Sequence, residues 1–476
     1  MIDRHKQVRK RQMFYLAILA FGLAFASSLQ TSNMSSLFKF LGANGSSLPY
    51  LWLAAPITGM VVQPIIGQLS DDTATRWGKR RPYIFVWGLL AALSYLVLPF
   101  AGTLTLTVLL IWFMDCSING CYDGLRALIG DTTPGEQRAK AFAMQAILAG
   151  FGAAIGAGLP FLVTKLYQWF GHMPTLKLNA LPDDLKISFM ITAVVLACSV
   201  MWMLHKVKEK AYTHSELLKK KQQHRNAREK LNKMFKSLYH SALHMPKPFR
   251  DICIVHFITW IGIFTLWLYF TMTLAQNIYD LPLHANVNSS PHFERLLQNA
   301  ALDSSLYISI YQYVSVAYAI VLFLLPSRIN PKPIHALSLL IGALGLTYIS
   351  FATTLHELVV CMVAVGIMWG SVIVLPYAIA TQSVPKGKMG SYLGLFNIAI
   401  TLPQIMAGLT LGPIYAYVFR GHAGYVLILG GVLILSAAIL LWRQYKAEQR
   451  HADNRYYLPI VAAPAALKPV IEQNPV

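Results

Sequence analysis

Asp115, Asp123 and Arg126 are the charged residues that fall well inside an apolar stretch of this chain, and all three share one stretch, about 105–130. A charge at the centre of a bilayer costs on the order of 3 kcal/mol or more, so such a residue faces a cavity or a partner. On a helix, at about 100° per residue, Asp115, Asn119, Tyr122 and Arg126 project along one narrow stripe. Along an unbroken helix Asp115 and Arg126 lie roughly 16 Å apart and cannot touch. Asp123 can reach Arg126 as an i, i+3 neighbour. A carboxyl near the midplane of a water-lined cavity is suited to carrying a proton: burial disfavours the charged form, and aqueous access restores it. The stripe places hydroxyl-binding groups beside it. The other reading of the set is a local ion pair that only pins helices.

Further polar residues interrupt other apolar runs: Gln30, Asn33, Gln63, Gln145, Gln312, Asn397 and Gln404. Singly, each suits a hydrogen bond between helices. Together they furnish an amide-lined path through uncharged walls. Amides beside the aromatic faces of Trp260, Tyr269, Tyr311 and Trp369 suit a neutral polyol such as a sugar, although most of these rings equally suit packing or the membrane interface. Pro56, Pro64, Pro376 and Pro403 free backbone carbonyls within the runs, as rocking transporters often require.

These residues need long apolar elements to hold them. The 476 residues are 55% hydrophobic and 13% charged, too little charge to cover a soluble protein of this length. Runs of about 20 residues recur at about 13–36, 48–69, 83–101, 105–130, 139–165, 186–204, 251–275, 304–326, 334–352, 358–382, 389–417 and 423–442. They are apolar all round, whereas barrel strands would be about ten residues long and alternating, so the expected fold is all-α with twelve transmembrane helices. The five cysteines, Cys116, Cys121, Cys198, Cys253 and Cys361, fall inside the runs and form no zinc spacing or disulfide framework. The first run is too long for a cleaved signal peptide and is read as the first span.

The net charge of +20 does not point to nucleic acid, because basic residues collect in alternate loops. They lie at Arg4–Arg11, Arg76–Arg81, Arg138–Lys140, Lys206–Arg250, Arg328–Lys332, Lys386–Lys388 and Arg443–Arg455. Under the positive-inside rule this places both termini in the cytoplasm. The longest polar stretch divides the spans six and six. The expected division is an N-terminal bundle, 1–204, a basic cytoplasmic linker, 205–250, a C-terminal bundle, 251–445, and a cytoplasmic tail, 446–476. Two pseudo-symmetric six-helix bundles joined in this way are the plan of the major facilitator fold. The linker has helical propensity around Glu216–Lys236, suited to lying on an anionic leaflet or to a solvated tether. The turn at Pro134 and the turn at Pro385 each precede a basic patch and a new span, a weak internal repeat. The Pro/Ala-rich stretch from Ala452 onward is expected to be disordered.

The segment Ala55–Ile84, APITGMVVQPIIGQLSDDTATRWGKRRPYI, resembles the span 2–3 signature of the sucrose/proton symporter family, within the glycoside-pentoside-hexuronide class of major facilitators. The long form, Asp71 followed by Arg76-Trp77-Gly78-Lys79-Arg80-Arg81-Pro82, carries the likeness. Leu29-Gln30, Asp115 with Asn119, Arg126-Ala127-Leu128 with Asp131, Thr259-Trp260-Ile261 and Gly390–Gln404 are similar to the family's first, fourth, seventh and eleventh helices. The resemblance implies that Asp115 is the proton acceptor and Arg126 its basic partner, with sugar contacts at Gln30 and Asn119. Gln63, Tyr122, Trp260, Gln312, Asn397 and Gln404 complete the expected substrate set, and Asp123 joins the coupling set. Asp71, Arg76, Gly78, Lys79, Arg80, Arg81 and Asp131 are expected to gate the cytoplasmic side. The chain departs from the family at Asp71-Asp72, at Asp123-Gly124-Leu125, and at Phe270-Thr271-Met272, where the family has acidic residues.

The leading expectation is a proton-coupled symporter for sucrose or a related glucoside. It would be a monomer in a plasma or bacterial inner membrane, embedded in the lipid bilayer, with no cofactor beyond the proton. Sodium-coupled symport of the melibiose type and a non-transporting sugar sensor are the alternatives. No nucleophile–base pair or metal-ligand cluster falls within the spans, so an enzyme is not expected.

Overall fold

The computed structural model describes residues 10–73, 75–133, 135–171, 181–209, 236, 239–283, 285–324, 330–384 and 389–456. Among these the regular elements are helices, apart from one isolated bridge between Thr75 and Gly78. In chain order they are α1 Lys10–Phe40, α2 Ala54–Asp72, α3 Arg81–Val97, α4 Leu104–Thr132, α5 Gly135–Ala157, α6 Leu159–Trp169 and α7 Asp183–Lys206. The second half contains α8 Lys247–Asn277, α9 Pro291–Leu324, α10 Pro331–Tyr348, α11 Leu355–Gln382, α12 Met389–Pro413 and α13 Ala423–Tyr456.

Nine of these helices are long and apolar enough to cross a membrane. A tenth span is the pair α5 and α6, one rod bent by 50°. The bend falls at Gly158, where Pro160 enters the first turn of α6 without an N–H to give. The remaining two rods are α2, which carries Gln63, and α10, which has 18 residues with Lys332 and His335 among them. Counted this way the rods number twelve, as the apolar runs implied.

Several ends differ from the expected ones. α1 continues to Phe40, which brings Lys39 inside the first span. The second span starts at Ala54, and Leu48–Leu51 is a separate helical turn before it. α9 starts at Pro291 rather than 304, and its added turns bury Glu294 and Gln298. α13 continues through 446–456, part of the expected tail, where an ion pair between Lys332 and Glu448 ties it to the start of α10. The expected helix at Glu216–Lys236 lies, apart from Lys236, outside the described residues, as do Pro134, Pro385 and residues 457–476.

Helices α1 to α7 pack on one another, with α1 against α5 and α7, α2 against α4, and α3 against α4 and α7. In the second half α8 packs on α12 and α13, α9 on α11, and α10 between α11 and α13. The halves meet where α5 lies on α9, α2 on α12, and α1 on both α8 and α9. Small residues make the closest crossing. A Cβ on Gly152 or Gly156 would fall 2.3 or 2.2 Å from the carbonyl oxygen of Phe21 or Phe25, so α1 and α5 touch backbone to backbone. Leu109, Val194, Leu337 and Val360 are exposed on the outer faces, where lipid is the solvent. Trp169, Phe170 and Tyr417 lie exposed at rod ends on the side away from the termini, and Trp202 and Trp442 toward the terminal side, as aromatic belts require.

Candidate functional site

The second half of α1 carries a run of polar residues, most of them buried. Most of its polar groups are satisfied nearby: Thr31 donates to the Ser27 carbonyl, Ser36 to that of Asn33, and the Asn33 amide to the Leu29 carbonyl and the Ser32 hydroxyl. Gln30 instead reaches across to another helix. Its Nε2 donates to Asp115 Oδ1 at 2.8 Å, and its Oε1 accepts from the Tyr95 hydroxyl at 3.2 Å. From Asp115 the polar chain continues along α4. Asn119 Nδ2 donates to the Asp115 carbonyl at 2.9 Å and to Thr58 Oγ1 at 3.2 Å, while its Oδ1 accepts from Gln63 Nε2 at 2.8 Å.

One linked set thus joins α3, α1, α4 and α2. It unites Gln30, Asp115, Asn119 and Gln63 from the expected residues and adds Tyr95 and Thr58, which the sequence did not single out. Tyr95 resembles any core tyrosine in sequence, since its value here depends on facing α1. Asp115 is 4% exposed, and its Oδ2 is buried with no hydrogen-bond partner. A buried polar oxygen left open in this way marks a place for a further donor or for a proton.

Farther along the stripe, Arg126 is exposed, and its guanidinium lies 5.6 Å from the centre of the Tyr122 ring. Among the described residues no ion pair joins it to Asp123, although the i, i+3 spacing allows one. The arginine side chain instead follows the stripe back over Tyr122. Tyr377, near the terminal-side end of α11, is likewise exposed.

The C-terminal half presents aromatic surface at similar depth along its helices. Trp260 and Trp267 of α8 and Trp369 of α11 form a mutual edge-to-face cluster with centres 5.5 to 5.9 Å apart. Their polar edges are used: Trp260 Nε1 donates to His256 Nε2 at 2.8 Å, and Trp267 Nε1 to the Tyr311 hydroxyl at 3.2 Å. Gln312 donates to the same hydroxyl at 3.3 Å, which brings it to the cluster. Trp267 and His256 were missed because a tryptophan or a histidine on an apolar helix reads as packing until its neighbours are known.

Other expected members stand apart from both groups. Gln404 donates to the Ile400 carbonyl of its own helix. Asn397 is half-buried on α12, and Gln145 Oε1 is buried without a partner. Tyr269 packs on Tyr415 and donates to the Gly45 carbonyl at 3.2 Å, far from the termini. That side also holds Ser35 Oγ on the Leu268 carbonyl at 2.9 Å and Gly412 against the Ser46 carbonyl. The two halves are therefore closed together on the side away from the termini, while Arg126 and Tyr377 are open on the terminal side.

Residues 75–80, between α2 and α3, are held on that terminal side. Asp131, at the end of α4, accepts Lys79 Nζ at 2.9 Å and Arg80 Nε at 3.0 Å. Arg80 also reaches the Ser70 hydroxyl. Glu209, just past α7, accepts the backbone N–H of Arg80 at 2.9 Å and of Arg81 at 3.2 Å, and Arg81 reaches the Leu204 carbonyl at 2.5 Å. Gly78 has φ +105°, and a Cβ there would lie 2.2 Å from Glu209 Oε2, so glycine is required twice over. Arg76 is exposed. The side chain of Asp71 lies outside the described residues. Glu209 escaped the sequence reading because it opens a charged stretch taken as a linker.

The sequence profile of the Major Facilitator Superfamily matches residues 16–408. The chain belongs to the Major Facilitator Superfamily. This facilitator is 23% identical to sucrose transport protein SUT5 of Oryza sativa, over 90% of this chain and 87% of that protein. It is 22% identical to the membrane-associated transporter protein of Homo sapiens, over 76% of this chain and 77% of that one. In fold it is similar to the nucleoside transporter NupG, with a TM-score of 0.64 and 14% identity over 91% of this chain and 99% of that one. The D-xylose-proton symporter superposes with a TM-score of 0.61 and 13% identity over 91% of this chain and 97% of that one. These proteins are membrane transporters and not enzymes. The facilitator is accordingly a multi-span membrane protein with a small-molecule substrate.

Proposed function

We propose that this facilitator is a proton-coupled symporter for sucrose or a related glucoside, working by alternating access as a monomer in a plasma or bacterial inner membrane. The alternation of basic loops supports placing the terminal side in the cytoplasm. The observation that carries the reading is Asp115, buried, steadied at one oxygen by Gln30 and unpaired at the other.

With the site open outward, a proton on Oδ2 neutralises Asp115 and turns that oxygen into a donor for a sugar hydroxyl. Gln30 keeps Oδ1 in place as an acceptor. The amides of Asn119 and Gln63 give the sugar alternative partners, and the Trp260–Trp267–Trp369 cluster offers apolar faces to its C–H groups. Once the halves rock, water reaches the site from the cytoplasm, the proton leaves, and Asp115 recovers its charge. Arg126 stands at the exposed inner end of the same stripe, where its charge favours ionised Asp115. The loop around Gly78, held by Asp131 and Glu209, acts as the gate on this side. Each cycle imports one positive charge, so the membrane potential contributes about 2.3 kcal/mol per 100 mV.

The test is uphill uptake of labelled sucrose into proteoliposomes under an imposed pH gradient and potential. The wild type accumulates sugar, while Asp115→Asn exchanges it without concentrating it, because the amide imitates the protonated acid. Concentrative uptake by Asp115→Asn at the wild-type level would refute the coupling role. Accumulation driven by a sodium gradient alone would favour melibiose-type coupling.

A further inference from the structure

Lys39, in the last turn of α1, is 7% exposed. Among the described residues its ammonium has no ion pair and no hydrogen bond. The group lines a partly open pocket of about 170 Å³ on the side away from the termini, together with Asn44, Gly45, Ser46, Met272 and Tyr415. The pocket is built by both halves: Lys39 comes from the end of α1, residues 44–46 from the connection between α1 and α2, Met272 from α8, and Tyr415 from the turn after α12. Among the described residues no carboxylate lines it. Nor do the backbone N–H groups of Asn44, Gly45 and Ser46 donate to any described group, although the loop is otherwise well bonded: Gly42 donates to the Lys39 carbonyl, Ser47 to that of Asn44, and Tyr269 to that of Gly45.

A buried ammonium without a counter-charge is costly, and the unused N–H groups of Asn44, Gly45 and Ser46, of which Gly45 is buried, supply donors in the same pocket. An anion supplies the missing counter-charge and can accept from those donors. We infer that this pocket binds a small inorganic anion, chloride by its single charge and size, coordinated by Lys39 and the loop 44–46. The volume exceeds that of a bare chloride and leaves room for a few waters. Because both halves contribute walls, the anion is bound only while this side is closed. Its occupancy therefore favours the conformation seen here, by linkage. This site lies apart from the Asp115 chain and does not depend on the sugar reading.

The test uses the full-length protein in nanodiscs, with gluconate as the non-binding reference anion. Equilibrium binding of radiolabelled chloride should saturate at about one ion per chain, and chloride should raise the unfolding midpoint by a few degrees over gluconate. Lys39→Met should weaken binding by about tenfold to a hundredfold, the loss expected for one charge-assisted hydrogen bond, whereas Lys39→Arg should keep it. Ala416→Asp gives a second, independent arm. Ala416 also lines the pocket, so the new carboxylate should pair with Lys39, abolish chloride binding and remove the chloride dependence of the midpoint. No saturable chloride binding by the wild type, or unchanged binding in Lys39→Met and Ala416→Asp, overturns the inference. Saturable binding of sulfate or phosphate in place of chloride overturns the halide assignment.

Discussion

Replacing Gln30 by leucine isolates one bond of the proposed coupling machinery. Gln30 Nε2 is the donor on Asp115 Oδ1, at 2.8 Å, and Oδ2 has no partner to compensate. A hydrogen bond to a charged group contributes about 1.5–3 kcal/mol. The donor favours ionised Asp115, so its loss favours the protonated form. At about 1.4 kcal/mol per pH unit, the midpoint of the pH–uptake profile should move upward by about 1–2 units. The rest of the packing should change little. Leucine is close in size, and Tyr95, which loses Gln30 Oε1, keeps its stronger bond to the Ala26 carbonyl at 2.7 Å. Tyr95→Phe serves as the control: it removes a group bonded to Gln30 but not to Asp115, and should move the midpoint by less than about 0.5 unit. The assay is the initial rate of sucrose uptake into proteoliposomes against external pH at clamped potential. If turnover is too slow in Gln30→Leu, equilibrium sucrose binding against pH reads the same quantity. A midpoint that stays put, or moves downward, would mean that Asp115 is not the titrating group.

Three further outcomes follow from the same geometry. Arg126→Ala should cut concentrative uptake by at least about tenfold, and Arg126→Lys should restore it only in part, since the planar donor fork is lost; equal rates in all three proteins would remove Arg126 from the cycle. Gly78→Ala forces a side chain into a left-handed turn and against the Glu209 carboxylate, at a cost of about 1–3 kcal/mol, so the unfolding midpoint and the turnover number should both fall. Glu209→Gln keeps the acceptor and should be the milder change. Trp369→Ala should weaken sucrose binding by roughly fivefold to thirtyfold, or about 1–2 kcal/mol, with the pH midpoint unchanged; a shifted midpoint at normal affinity would separate the aromatic cluster from the sugar.

Much of the architecture was legible because a bilayer restricts what a chain can do. Spans must be apolar for about 20 residues and must satisfy their own backbone, so their number and order follow from hydropathy. Asp115 was legible for the same reason, as a charge where charge is costly. Span ends were less so: the start of α9, the break before α2 and the bend at Gly158 depend on what each turn meets in its neighbours. Spacing within a helix allowed Asp123 to reach Arg126, but it could not foresee that the Tyr122 ring lies in reach of the guanidinium.

The linear sequence by itself determined the class of molecule, the alternation of its loops and the carboxyl worth testing, since each of these reflects the local cost of placing a residue in lipid. Only the tertiary structure decided that Gln30 and not Gln404 serves that carboxyl, that Glu209 holds the loop of Gly78, and that Lys39 sits in a pocket shared by both halves. An amide or a lysine has the same propensities wherever it occurs. Its partner is set by which helix faces it, and the facing is fixed by the packing of residues distant in the chain, as where Gly152 and Gly156 let α5 lie directly on α1.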